Sequence, residues 1–241
     1  MNILLEQVPP PGESDQSLAA GADMALSVWR ARVGEVFTVV DPQGGFHRAR
    51  LLAPGRGMRV FETLPLSPEP LAPRILVQSL PDRERMLQVV EKGVELGATV
   101  IQPILTGKSG GWPGWGPGQD KSGSWVRVAL RAARQSRRAL VPEVRAPIPL
   151  EAFEPPTGGA AYGLHLQGRL DWRGELDAAT LRAPVALLVG PEGGWSPRDL
   201  DLLYQRTRGM LRLGGRVLRT ETAGPAALAV LAALEADLPS R

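Results

Sequence analysis

Between Leu64 and Pro73 the chain places four prolines in ten residues. Proline locks φ and has no amide hydrogen to donate, so neither a helix interior nor a central strand can pass through LPLSPEPLAP; a stiff extended connector can. The chain of 241 residues must therefore divide there, and its grammar differs on the two sides. Before the connector, Glu35–Val40, Phe46–Leu52 and Met58–Thr63 read as short strands, with Asp41-Pro-Gln-Gly-Gly45 turning between the first two. Residues 1–70 are expected to form a small β-rich module.

Residues 73–241 alternate strand and helix. Arg74–Ser79, Thr99–Leu105, Ala161–Leu166, Val185–Val189 and Met210–Leu213 read as strands. Pro81–Leu96, with proline in its first turn and Gly97 as its stop, Ser124–Leu140, a short helix opened by Ser196 and Asp199, and Pro225–Asp237 read as helices. Such alternation predicts an α/β domain, a largely parallel sheet covered by helices. The last helix is apolar nearly all round and alanine-rich, so it needs cover on more than one side, as at a subunit interface.

Composition removes several chemistries. With no cysteine, disulfides, thiolate zinc, iron–sulfur clusters and thiol nucleophiles are impossible, and two histidines, His47 and His165, exclude a three-histidine metal centre. No stretch of about 18 uncharged apolar residues and no secretory leader pattern is present, so a soluble cytoplasmic protein without a membrane partner is expected. Neither a Ser-His-Asp set nor a spaced carboxylate pair supports a hydrolase.

Net charge is −2 over residues 1–72, +6 over 73–145 and −1 over 146–241. That central basic field suits a polyanion. On a helical wheel Arg127, Arg131, Arg134 and Arg138 fall within about 60° of one another, opposite Trp125, Val128 and Ala132. Four aligned guanidiniums repel unless phosphates or carboxylates lie across them, so the face reads either as a nucleic-acid surface or as a solvated face met by acids elsewhere in the fold. The intervening segment 107–123, with seven glycines and two tryptophans, offers Trp112 and Trp115 for base stacking or simply for pinning a loop.

Two glycine turns carry the remaining signal. VALLVGPEGGWSP, residues 185–197, is a buried strand running through a glycine turn into a capped helix, the place where open α/β sheets take ligands. Residues 211–225, LRLGGRVLRTETAGP, repeat that pattern and set Arg216, Arg219 and Glu221 among small residues, where charge is costly unless paired or used. Neither turn is a P-loop or a dinucleotide fingerprint.

Taken together, Gly190-Pro-Glu-Gly-Gly194, then Leu213-Gly-Gly-Arg-Val-Leu-Arg-Thr-Glu-Thr-Ala223, with Arg85-Met86, Glu91-Lys-Gly-Val-Glu-Leu-Gly97 and Gln135-Ser-Arg-Arg138 in the expected order, resemble the RsmE family of SPOUT-class methyltransferases. The resemblance implies a trefoil-knotted α/β methyltransferase domain, an N-terminal PUA-like RNA-binding β-barrel, a homodimer, and methylation of N3 of a uridine in 16S rRNA or the 30S subunit. S-adenosylmethionine would sit against Leu164, His165, Gly190, Pro191, Gly194, Leu213, Gly214, Val217 and Leu218. RNA would meet Arg30, Arg85, Lys92 and the Arg127, Arg131, Arg134 and Arg138 face.

Neutral uracil holds its N3 proton tightly, so the implied reaction needs the imide anion favoured and its carbonyl charge met; on those chemical grounds Arg219 is expected to meet that charge, and Glu192 to accept the proton or orient the base. No metal is called for, because a sulfonium is already an activated leaving group. The same signature fits a SPOUT enzyme of another RNA, such as a tRNA 2′-O-methyltransferase, or a non-catalytic RNA-binding ribosome-assembly protein.

Overall fold

The computed structural model describes residues 1–53, 55–108 and 122–238; Trp112 and Trp115 of the glycine-rich segment lie outside them. Two compact units emerge, Met1–Glu69 with Leu130–Val141, and the remainder.

In the first unit β1 (Ile3–Leu4), β2 (Ser14–Gln16), α1 (Ala22–Trp29), β3 (Val36–Val40), β4 (Phe46–Leu51) and β5 (Met58–Thr63) build one five-stranded sheet in the order β1-β3-β4-β5-β2. The turn chemistry sets its centre: Asp41 Oδ1 accepts the amides of Gln43 and Gly45, both at 2.8 Å, and returns the chain from β3 to β4. His47 on β4 is buried against the same carboxylate at 2.9 Å. Trp29 packs edge-on against Phe37 at 6.0 Å, closing the apolar side. The edge strands β1 and β2 are two and three residues long and a single bridge, Leu5 to Leu18, links the chain beyond them. The sheet is a half-barrel whose β1 and β2 ends meet through that bridge and the Glu6 and Ala19 amides, where the family resemblance implied a PUA-like β-barrel.

In the second unit β6 (Arg74–Ser79), α2 (Arg83–Glu95), β7 (Val100–Leu105), α3 (Ser122–Gln135, of which residues 130–135 belong to the first unit), β8 (Glu143–Val144), β9 (Ile148–Pro149), β10 (Ala160–Arg169), α4 (Trp172–Glu175), α5 (Ala178–Leu181), β11 (Val185–Val189), α6 (Pro197–Arg206), β12 (Gly209–Leu211) and α7 (Thr220–Ala236) follow in order. Strand order is β12-β10-β11-β6-β7-β8, with β9 also on β7, and every pairing is parallel. The uninterrupted burial of VALLV in β11 follows from its central position with both faces covered. Helices α2 and α7 pack on each other, and α7 lies on β6 and β11.

Three helix boundaries differ from the sequence reading, each for a local reason. Helix α2 is capped by Asp82, whose carboxylate accepts the Arg85 amide at 3.0 Å, so Pro81 stands outside the helix. Helix α3 stops at Gln135 because Arg137 turns left-handed at φ 56°, and Ser136 Oγ donates back to the Ala132 carbonyl. Helix α7 begins at Thr220, five residues ahead of Pro225, which its second turn accommodates at the loss of one intrahelical bond.

Candidate active site

Beyond the ends of β10, β11 and β12 the second unit opens a cavity of about 590 Å³. Its walls bring together both glycine turns: Gly190, Pro191 and Gly194 from the first, Leu213, Val217 and Leu218 from the second, with Leu164 and His165 from the end of β10. Arg219 and Glu192 line the same space. Gly214 does not; it carries φ 92° and turns the second loop.

The first loop is tied at several points. Ser196 and Asp199 form a reciprocal capping box at the start of α6, with Ser196 Oγ accepting the Asp199 amide at 3.1 Å and Asp199 Oδ2 accepting the Ser196 amide at 2.9 Å. Trp195 is buried, and its Nε1 donates to the Leu164 carbonyl at 3.0 Å, fastening the loop to β10. Thr220 Oγ1 donates to the Gly190 carbonyl at 2.8 Å, and Lys108 Nζ to that of Gly193 at 3.0 Å. Next to it, β10 bulges between Leu164 and Arg169, and His165 Nδ1 accepts the Gln167 amide at 3.2 Å.

A charged cluster crosses the cavity wall. Arg85, on the first turn of α2, pairs with Glu192 of the first loop, stands 3.7 Å from Glu221 Oε1 at the start of α7, and lies 3.4 Å from Asp82. Three carboxylates on one guanidinium hold α2, the first loop and α7 in register. The sequence reading placed Arg85 with RNA; its side chain lines the cavity. Arg212 and Arg216 line it too, and Arg212 Nε is buried with no acceptor among the described residues. Sequence reasoning missed Trp195, Arg212 and Thr220 as wall residues, because their partners are 30 to 46 residues away.

The expected arginine face divides. Arg127 and Arg131 are exposed on α3. Arg134 is paired with Glu35 at 2.5 Å and lies 5.8 Å over the Phe37 ring. Arg138 leaves the face where the helix ends: it is 3% exposed and bonded to Glu69 through Nε at 3.1 Å and Nη2 at 2.5 Å. Lys92 is exposed but held by Glu91 and then Glu95 at 2.9 and 3.0 Å, and those carboxylates raise its pKa above the ordinary ammonium value. Arg30 is exposed at the left-handed end of α1. No group of three or more potential metal ligands and no helix long and apolar enough to cross a membrane occurs among the described residues.

A parallel sheet with a cavity at the strand ends, walled by two glycine turns, is the arrangement in which open α/β folds take ligands, and residues 67–232 match the RNA methyltransferase domain model. The chain belongs to that family, and within it to the RsmE group. It is 34% identical over 86% of its length to ribosomal RNA small subunit methyltransferase E of Synechocystis sp., covering 69% of that protein. It is 33% identical over 87% of its length to the Mycobacterium tuberculosis protein of the same name, covering 82% of it. Among solved structures, ribosomal RNA small subunit methyltransferase E from Neisseria gonorrhoeae bound to S-adenosyl methionine aligns over 96% of both chains at TM-score 0.65 and 26% identity.

Proposed function

We propose that this chain is an S-adenosylmethionine-dependent methyltransferase that modifies N3 of a uridine in small-subunit ribosomal RNA. The observation that carries the reading is the shared cavity: two turns separated by some 20 residues of sequence, with Arg219 between the second turn and α7, open onto one space.

The residues present fit the methyl donor. A cavity of this size is within the usual range for ligands of several hundred daltons. Leu164, Val189, Leu213 and Leu218 give apolar walls, while the amides of Leu213, Val217 and Leu218 have no backbone acceptor among the described residues. Arg212, with its unpartnered Nε, is suited to a carboxylate. When bound, S-adenosylmethionine supplies a sulfonium-activated methyl group.

The chain's own task is to expose and acidify the base. Arg219, exposed at the cavity rim with no intramolecular ion pair among the described residues, meets the charge that grows on a uracil carbonyl as N3 loses its proton. Glu192, held by Arg85, orients the base or receives that proton. The base must be unpaired or extruded to enter. RNA is held by Arg127 and Arg131 and by the N-terminal half-barrel, which we read as PUA-like.

The path after β12, on the outer side of β10, returns to start α7 against β6 and β11, and we read that return as the trefoil threading of SPOUT enzymes. Ala229, Ala232, Ala233 and Ala236 leave an outer alanine face on α7 for a second subunit. The enzyme would work in the cytoplasm on 16S rRNA or the 30S subunit.

The test combines titration calorimetry of the protein with S-adenosylmethionine and mass spectrometry of rRNA digested after incubation with both. Heat of binding and a methyl on uridine N3 are expected. A ribose 2′-O-methyl or a tRNA product would replace the acceptor, and absence of heat would reduce the chain to a scaffold.

A further inference from the structure

The Gly190 carbonyl, where β11 enters the first loop, accepts the Thr220 hydroxyl at 2.8 Å, and the Thr220 oxygen in turn accepts Gln78 Nε2 at 2.8 Å. Gln78 Nε2 also donates to the Ser79 carbonyl at 3.0 Å. The two side chains are 0% and 5% exposed. These bonds have one direction. Turning the Gln78 amide over would face its oxygen to the Ser79 carbonyl and strip Thr220 of its donor. With its oxygen engaged as acceptor by Gln78, Thr220 has one proton to give, and it goes to Gly190.

The relay thus joins the last residues of β6, the first turn of α7 and the first glycine loop, across 142 and 30 residues of sequence. Thr220 and Gly190 line the cavity, whereas Gln78 stands behind them.

The arrangement carries a cost that packing alone does not explain. Gln78 Oε1 is buried and receives no donor among the described residues, and a β-carbon at Gly224 would come within 3.3 Å of it. A buried acceptor without a donor is destabilising, and an apolar side chain of similar shape removes that penalty. A glutamine kept in such a place does something with its other end.

We propose that Gln78 and Thr220 are positioning residues of the methyl-donor site: they fix the Gly190 carbonyl and, through it, the orientation of the 190–194 loop. The inference rests on the methyltransferase reading above, and the experiment separates the two. Calorimetric titration with S-adenosylmethionine is run on the full chain and on Gln78→Met, Thr220→Val, Thr220→Ser and the Gln78→Met/Thr220→Val double variant, each also melted without ligand. Heat from the unsubstituted chain tests the site itself; its absence rejects the methyl-donor reading before any variant is compared.

Given that heat, Gln78→Met and Thr220→Val are each expected to weaken binding about five- to tenfold, the range for one well-placed hydrogen bond. Thr220→Ser keeps the hydroxyl and stays within about twofold of the unsubstituted chain, a change too small to represent a lost hydrogen bond. The double variant binds no worse than Thr220→Val alone, because Gln78 acts only through that hydroxyl. Gln78→Met exchanges the penalty of an unpartnered Oε1 for the loss of two donated bonds and melts within a few degrees of the unsubstituted chain; its affinity falls all the same, whereas a purely structural role moves the melting temperature alone. Unchanged affinity with a lowered melting temperature in Gln78→Met, additive losses in the double variant, or a Thr220→Ser protein as weak as Thr220→Val overturns the proposal. If Thr220→Val does not fold, Gln78→Met and Thr220→Ser decide it.

Discussion

A methyl group added at Gly190 has nowhere to go. Its β-carbon would fall 2.9 Å from Trp195 Cε2, 3.1 Å from Nε1 and 3.2 Å from Cδ2, against the roughly 3.5–4.0 Å at which carbon atoms rest. The indole cannot yield freely: it is 6% exposed, belongs to the core with Leu188, Leu203 and Met210, and is pinned by its bond to the Leu164 carbonyl. Overpacking of this kind costs about 1–3 kcal/mol, and losing the indole hydrogen bond adds about 1 kcal/mol. For a chain of this size Gly190→Ala should therefore lower the melting temperature by about 4–16 °C. Trp195→Phe removes the pyrrole edge that the new carbon meets, so Gly190→Ala should cost at least about 1 kcal/mol less in that background. Thermal melts of the two single variants and the double variant measure the difference. Equal penalties in both backgrounds, within about 0.5 kcal/mol, would show that the clash with the indole is not the reason position 190 needs glycine.

Arg219→Ala should leave S-adenosylmethionine affinity nearly unchanged while slowing rRNA methylation about a hundredfold, the loss typical of one aligned electrostatic donor; equal turnover removes Arg219 from the chemistry. Charge reversal at Arg127 and Arg131 should weaken rRNA binding and flatten its salt dependence while sparing thermal stability. Arg138→Ala should instead destabilise the first unit by about 3 kcal/mol, the low end for a broken buried pair because Glu69 keeps the Ala139 and Leu140 amides, and a protein that melts normally would contradict the buried pair. Burial alone would push the Asp41 carboxyl up, but hydrogen bonds from His47 and from the Gly45 and Gln43 amides outweigh it and hold the pKa below the ordinary 3.8. Its stabilising contribution is thus complete above that value and lost as pH falls through the lower folded-state pKa. Acid melts of the first unit's fluorescence should lose this limb in Asp41→Asn.

What could be read from the sequence is what short-range physics decides. Val185–Val189 coincides with β11, since five consecutive apolar residues admit little but a strand covered on both faces. Ser196 and Asp199 cap α6 as their spacing requires, because a capping box is closed within four residues. The 83–95 helix was legible through its periodicity, but its start was not: Asp82 competes with Pro81 for the cap, and only the carboxylate bond to the Arg85 amide decides between them. Strands β1 and β2, at two and three residues, are too short to have any periodicity; they exist because β3 and β5 offer edges to pair with.

The same distinction separates the arginines. A helical wheel places Arg127, Arg131, Arg134 and Arg138 on one face only while the helix continues, and Arg137 ends that premise by turning left-handed. Glu35 and Glu69, the carboxylates that then claim Arg134 and Arg138, are 99 and 69 residues away, so no window of sequence could have paired them. The cavity obeys the same rule in the opposite sense. Each glycine turn was visible as a turn, but only the family resemblance paired the two; no local pattern could, because what brings them together is the insertion of β11 between β10 and β6 and the placing of β12 outside β10. Sheet order is fixed by pairings between strands far apart in sequence; once it is fixed, strands that all run in parallel deliver their following loops to one end, and two turns that are ordinary in isolation become facing walls.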